Sequence, residues 1–200
     1  MIKKIMCIGC LCEGFMFADA FGIRINGPVD NMHGYNFKST LDLFNGNLFN
    51  SVLNDKIDFK ENQDPAWFDD DNYIRYYCGY ENENKWVWRS IHTNFESNER
   101  KDSFKNRINN FNEYNKNLDE YSWYLYTISD HDQYLSEEDF NYTIKHLPSY
   151  VIDKLIVITG TRFKIPKCFN ERFNCIQYNF DMGGENRDTI VFKNWQKIIH

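Results

Sequence analysis

Apolar positions along this chain fall into short dense runs separated by longer stretches with helical spacing. Ile5 to Ile8 is an apolar run of one strand's length; it breaks at Gly9, and a helix is expected from Cys12 to Phe21 with Phe17 and Phe21 on one side. Gly22 stands in the usual position of a helix-ending glycine. A short extended piece, Ile23 to Ile25, then leads into a turn over Gly27-Pro28-Val29-Asp30-Asn31. Ser39 to Asp42 has the form of a capping box, and a second helix is expected through Leu41, Leu43, Phe44 and Leu48.

The polar, acidic stretch from Asp55 to Asn72 reads as a surface loop. Two strand-like runs follow, Tyr73 to Cys78 and Lys85 to His92. In the second, Trp86, Trp88 and Ser90 alternate with Val87, Arg89 and Ile91, so a hairpin closed by His92 is expected. An apolar stripe of Phe104, Ile108, Phe111 and Leu118 marks a long helix over Glu99 to Leu118. Next comes a strand, Trp123 to Ile128. A helix capped at Ser136 carries Phe140, Ile144 and Leu147 and stops at Pro148. Leu155 to Thr159 has the composition of a doubly buried central strand. Strands at Cys175 to Tyr178 and Thr189 to Phe192, and a short helix at Trp195 to Ile199, complete the chain.

This alternation predicts an α/β fold with a mostly parallel sheet flanked by helices and one β-hairpin insertion. No internal repeat or linker divides the chain, so residues 1–200 are expected to form one domain. In such folds functional residues gather at the carboxyl ends of strands. Cys10 and Cys12 hold that position after the first strand, and Asp130 and His131 after Trp123 to Ile128.

Composition narrows the function. A formal net charge of −6 argues against nonspecific binding to nucleic acid or an anionic membrane, both of which need a basic face. No apolar run approaches the roughly 18 residues of a membrane span, and the first run is too short for a signal peptide, so a cytoplasmic location is expected. Aromatic residues make up 18% of the chain; an AT-rich genome accounts for that as readily as a binding surface does. Of the six cysteines, Cys7, Cys10 and Cys12 crowd together, a placement that suits reduced thiols better than a disulfide framework.

Candidate chemistry centres on the opening strand–turn–helix. A cysteine at a helix N-terminus faces unpaired backbone N–H groups and the positive end of the helix dipole, which favour the thiolate. Cys12 begins the helix and Cys10 shares its turn; the alternative for either is a buried structural thiol. Cys7 and Cys10 form a C-x-x-C, but Cys7 lies within the expected strand and reads as a small core residue. Among the histidines, His92 at the end of a hairpin strand and His131 after a strand are equal candidates for a base. His33 falls in a loop, His146 in the last turn of a helix, and His200 at the terminus. Asp69 to Asp71 are contiguous, unlike the spaced carboxylates of metal loops, and Gly183-Gly184 lacks the spacing of a phosphate loop. No cofactor and no metal is expected.

The run Ile8-Gly9-Cys10-Leu11-Cys12, the following helix and the Phe21-Gly22-Ile23-Arg24 turn resemble the N-terminus of a bacterial family of papain-like cysteine peptidases of undefined function, recurrent near surface-glycan genes. Gly9 to Cys12 matches that family's Gly-x-x-Cys. Pro28 and Asp30 match its Pro-Phe-Asp-Trp motif, whereas Val29 and Asn31 depart from it. The histidine that its members carry after a β-like stretch corresponds to His92, and the helix with Arg107 and Phe111 followed by Tyr124 to Thr127 is also similar. The resemblance implies Cys12 as nucleophile, His92 as base and Asp30 as an orienting or structural carboxylate. The implied activity is that of a cysteine hydrolase or acyltransferase acting on a small-molecule, peptide or glycan substrate. A noncatalytic glycan- or peptide-binding protein is the alternative, and a thiol redox or metal protein built on Cys7 and Cys10 is the third. Asp130 and Asp132 stay open beside Asp30 as the third catalytic member.

Overall fold

A computed structural model describes residues 2–9, 12–30, 32–54, 57–58, 74–76, 88–90, 97–128, 135–160, 163–180 and 190–193. The chain opens with β1 (Lys4–Cys7), α1 (Cys12–Ala20), β2 (Arg24–Ile25) and β3 (Met32–Gly34). It continues through α2 (Thr40–Phe44), α3 (Asn47–Leu53), β4 (Ile57–Asp58), β5 (Ile74–Tyr76) and β6 (Trp88–Ser90). Then come α4 (Asn98–Lys116), β7 (Ser122–Ile128), α5 (Glu137–His146), α6 (Ser149–Ile152) and β8 (Leu155–Gly160). The last elements are α7 (Lys167–Arg172), β9 (Asn174–Phe180) and β10 (Ile190–Lys193).

Six strands form the main sheet in the order β2-β1-β7-β8-β9-β10. All neighbours in it are parallel except β10, which runs antiparallel to β9. Ile5 pairs with Trp123 on one side and Arg24 on the other, so β1 is doubly flanked. The fold is therefore α/β with a mostly parallel sheet, as expected. A second, antiparallel sheet has the order β3-β6-β5-β4. It contains the expected hairpin, with Ile74 opposite Ser90 and Tyr76 opposite Trp88.

Side-chain alternation along the strands sorts the core onto two faces. Ile5, Cys7, Leu125, Ile156, Ile158 and Ile176 share one face with Phe17 and Ala18 of α1. Met6, Ile8, Tyr124, Tyr126, Ile128 and Val157 point the other way, toward α2 to α7. On that second face Phe37 lies 5.0 Å from Tyr126, 5.0 Å from Phe169 and 5.8 Å from Phe140, ring centre to ring centre. At least this part of the aromatic content fills the core.

α1 ends in a Schellman motif: Gly22 at φ 64° donates to Asp19 O (2.9 Å), and Ile23 N donates to Ala18 O (3.0 Å). Ser136 caps α5 by accepting from Asp139 N at 3.0 Å, as its sequence predicts. The region after Ser39 differs from expectation. The capping box belongs to Asn36, whose side chain accepts from Lys38 N while Ser39 Oγ accepts from Asn36 N; it starts a short 3-10 turn. The single expected helix is two, α2 and α3, because Gly46 takes φ 79° between them. β3 was expected as loop, and so was Ile57–Asp58, which pairs as β4 with β5. The remainder of Asp55 to Asn72 and the expected helix at Trp195 to Ile199 lie outside the described residues.

Candidate functional site

The connections leaving β1 and β7 pass to opposite faces of the sheet. α1 packs against Ile5, Cys7 and Leu125, whereas Phe140, Leu147, Val151 and Ile152 of α5 and α6 pack on the far face. Strand order also reverses at β1, with β2 on one side and β7, β8 and β9 on the other. Adjacent strands whose connections diverge leave a crevice beyond their carboxyl ends, the usual ligand position in open α/β sheets. The turn at Gly9 and the first residue of α1, Cys12, stand at that point.

Two glycines let the chain pass there. Gly9 has φ 145°, a conformation that side chains rarely adopt, and a Cβ on it would lie 3.3 Å from Tyr126 Cε2 and 3.5 Å from Trp88 Cη2. Its carbonyl accepts from Thr127 N at 3.2 Å, extending the β1–β7 ladder into the turn. Gly14, in the first turn of α1, is held closer still: a Cβ would meet Thr127 Oγ1 at 2.8 Å. The first turn of α1 therefore lies directly on the end of β7.

Trp88 joins the second sheet to this turn. It is fully buried, its indole N–H donates to Ser39 O at 3.1 Å, and its Cη2 would lie 3.3 Å from a Cβ on Gly34 and 3.5 Å from one on Gly9. Along β6, Trp88 is opposite Gly34 and Ser90 opposite Met32, so the strand runs toward the Asp30 end of β3.

Asp30 is buried in the turn before β3. Its Oδ2 accepts from Arg24 Nη2 (2.9 Å), Arg24 Nε (3.2 Å) and Gly27 N (3.0 Å). Burial pushes its carboxyl above the usual range, with Arg24, the Gly27 N–H and Arg107 pulling the other way. Asp30 thus ties β2 to the loop that follows it. Arg24 also reaches Asp19 on the surface at 2.7 Å.

Cys7 is a core thiol, on the α1 face of the sheet, and burial pushes its pKa well up, with Asp30 adding to the effect. A raised pKa is contrary to what a redox or metal-binding thiol needs. Burial also raises the Cys168 thiol and pushes that of Cys175 up to about 11. His33, expected in a loop, is buried on β3 opposite Arg89. His146 occupies the last turn of α5, exposed, its Nδ1 2.7 Å from Tyr142 O. The side chain of Cys12, together with Cys10, His92, Asp130, His131 and Asp132, lies outside what is described.

Sequence reasoning missed three groups around the crevice. The alternation puts Trp88 on a strand but not against Gly9. Arg24 reads in the sequence as part of a turn, not as the cation on Asp30. Arg107, on α4, interacts with the Asp30 charge from 77 positions along the chain, a pairing that local pattern does not carry. No family model, no curated protein and no solved structure matches the chain.

Proposed function

We propose that the chain is a cysteine hydrolase or acyltransferase of the cytoplasm whose nucleophile is Cys12 and whose general base is His92. The observation that carries this reading is the position of Cys12 as the first residue of α1, at the crevice where the sheet order reverses. Helix N–H groups there favour a thiolate and would hold the oxyanion of a tetrahedral intermediate. His92 would draw the thiol proton and return it to the leaving group. The resemblance to papain-like cysteine peptidases is what selects His92 over His131 for this role. Asp30 takes the structural role, since Arg24 and Gly27 already occupy one of its oxygens. The substrate class is a small molecule, peptide or glycan bearing an acyl group. The resemblance to papain-like cysteine peptidases supports the same assignment.

Labelling with a thiol probe tests this. Cys7, Cys168 and Cys175 all have raised pKa values, so they contribute little signal near neutral pH. In a Cys10→Ser/Cys78→Ser background Cys12 should label fast, and His92→Ala should slow it by about tenfold or more. Slow labelling that His92→Ala leaves unchanged would overturn the enzyme reading in favour of a noncatalytic glycan- or peptide-binding protein.

A further inference from the structure

Among the described residues, two buried polar atoms of opposite kind, on side chains that interact through their charges, have no hydrogen-bond partner. Asp30 Oδ1 is an acceptor with no hydrogen-bond partner, and Arg107 Nη1 is a donor with none. Such atoms are uncommon in folded proteins and call for a ligand or an internal water. Arg107 makes no hydrogen bond or ion pair among the described residues, although its guanidinium is half-buried and feels the Asp30 charge. Burial lowers its pKa, as expected of a cation lacking close partners.

Location adds meaning to the two orphans. A Cβ on Gly27 would lie 3.5 Å from Asp30 Oδ1 and 3.6 Å from Cys7 O, so the free oxygen is beside the carboxyl end of β1. On α4, Tyr114 Oη donates to Trp123 O at 2.5 Å near the start of β7. One turn closer to the helix N-terminus, Asn110 Nδ2 donates to Asn26 O at 3.1 Å. Arg107 is one further turn along, at the end of the sheet where Cys12 lies.

Charge selects the ligand. Arg24 and the Gly27 N–H already balance Asp30 Oδ2. A carboxylate on Arg107 would meet the free Asp30 oxygen, and an ammonium on Asp30 would meet the guanidinium. A neutral group with an acceptor and an N–H side by side satisfies both. We infer that Asp30 Oδ1 and Arg107 Nη1 form a subsite for a carboxamide, with Arg107 donating to its carbonyl and Asp30 accepting from its N–H. The view of this carboxamide as part of a substrate rests on the cysteine-hydrolase reading; its binding does not.

The full chain carrying Cys12→Ser, labelled with 15N-arginine and 13C-aspartate, is titrated with acetamide, acetate and methylammonium. The Arg107 side-chain N–H signal is assigned by its loss in Arg107→Lys. Acetamide should move both that signal and the Asp30 carboxyl carbon saturably, and its affinity should fall roughly tenfold or more in Arg107→Met. No movement with acetamide would mean internal water only and would overturn the subsite. Equal movement with acetate would make it a plain anion site and would also overturn it. Because Cys12→Ser has no reactive thiol at that position, carboxamide binding and Cys12 labelling can each fail without the other.

Discussion

Asp42 offers the most exact test of the packing beneath the site. It is 1% exposed on α2; its Oδ1 accepts from Asn47 Nδ2 at 3.1 Å, and its Oδ2 has no partner. Burial pushes its pKa from 3.8 up to about 6, opposed only by hydrogen bonds from Asn47 and Asn45. A carboxyl with a raised folded-state pKa binds protons more tightly folded than unfolded, so it favours the fold at low pH. Its ionisation then erodes stability as pH rises from the unfolded value toward the folded one. At about 1.4 kcal/mol per pKa unit the full effect is roughly 3 kcal/mol, most of it between about pH 4 and pH 6. Asp42→Asn retains the acceptor for Asn47 and cannot ionise. Whatever the buried amide costs is independent of pH and cancels when the variant is compared with the parent at two pH values. Urea unfolding near pH 4 and near pH 7.5 should therefore show the variant gaining about 2–3 kcal/mol on the parent at the higher pH. Parallel pH profiles for the two proteins would refute the reasoning and mean that Asp42 finds a cation or solvent.

Three further substitutions address the crevice. Gly9→Ala must adopt φ 145° with its Cβ 3.3 Å from Tyr126 Cε2, and urea unfolding should record a loss of about 1–3 kcal/mol; an unchanged midpoint would show that the turn relaxes freely. Arg24→Met leaves the Asp30 carboxylate buried without its ion-pair partner, so a loss of about 3–5 kcal/mol is expected. That loss should grow as pH rises through the Asp30 pKa, and a pH-independent loss would count against the ion pair. Thr127→Val removes a buried hydroxyl without a partner at nearly constant volume, and calorimetry should show a variant unchanged or stabilised by about 1 kcal/mol; clear destabilisation would reveal a hydrogen bond or water on Oγ1.

What the sequence makes legible here follows element length. β1, β7 and β8 have runs of four to seven residues with strong apolar content, and α4 spans 19 residues with a repeating stripe. Their periods average over enough positions to stand out. α6, with four residues, and α7, with six, complete too few turns to show a period. β3 is Met-His-Gly, three residues without alternation, and becomes a strand only through its pairing with β6. Near residue 40 the sequence shows a cap at Ser39 to Asp42, but the structure caps the chain one turn earlier, at Asn36 with Ser39. Ser39 makes no side-chain cap bond to α2, and Asp42 is instead buried. The start of α1 at Cys12 is legible because a strand, a glycine and a helix start are local features. The burial of His33 and the approach of Arg107 to Asp30 depend on contacts distant in sequence, which no local pattern records.

Trp88 explains why an inserted sheet belongs to this fold. Under the proposed mechanism the Gly9 turn presents a nucleophile and must be fixed more tightly than a free loop is, and α1 alone rests on the sheet from one face. On the other face Trp88 occupies the space left by the missing side chains of Gly9 and Gly34, held by its bond to Ser39 O. The Gly9 turn is thereby set between Tyr126 of the main sheet and Trp88 of the second sheet. Under the proposed mechanism, this contact rigidifies the nucleophile's turn. Trp88→Phe gives up the indole N–H and part of the wedge while keeping an aromatic core residue, so it should slow Cys12 labelling more than its loss of stability alone accounts for. If labelling in the folded variant matches the parent, the two sheets are not coupled through this ring.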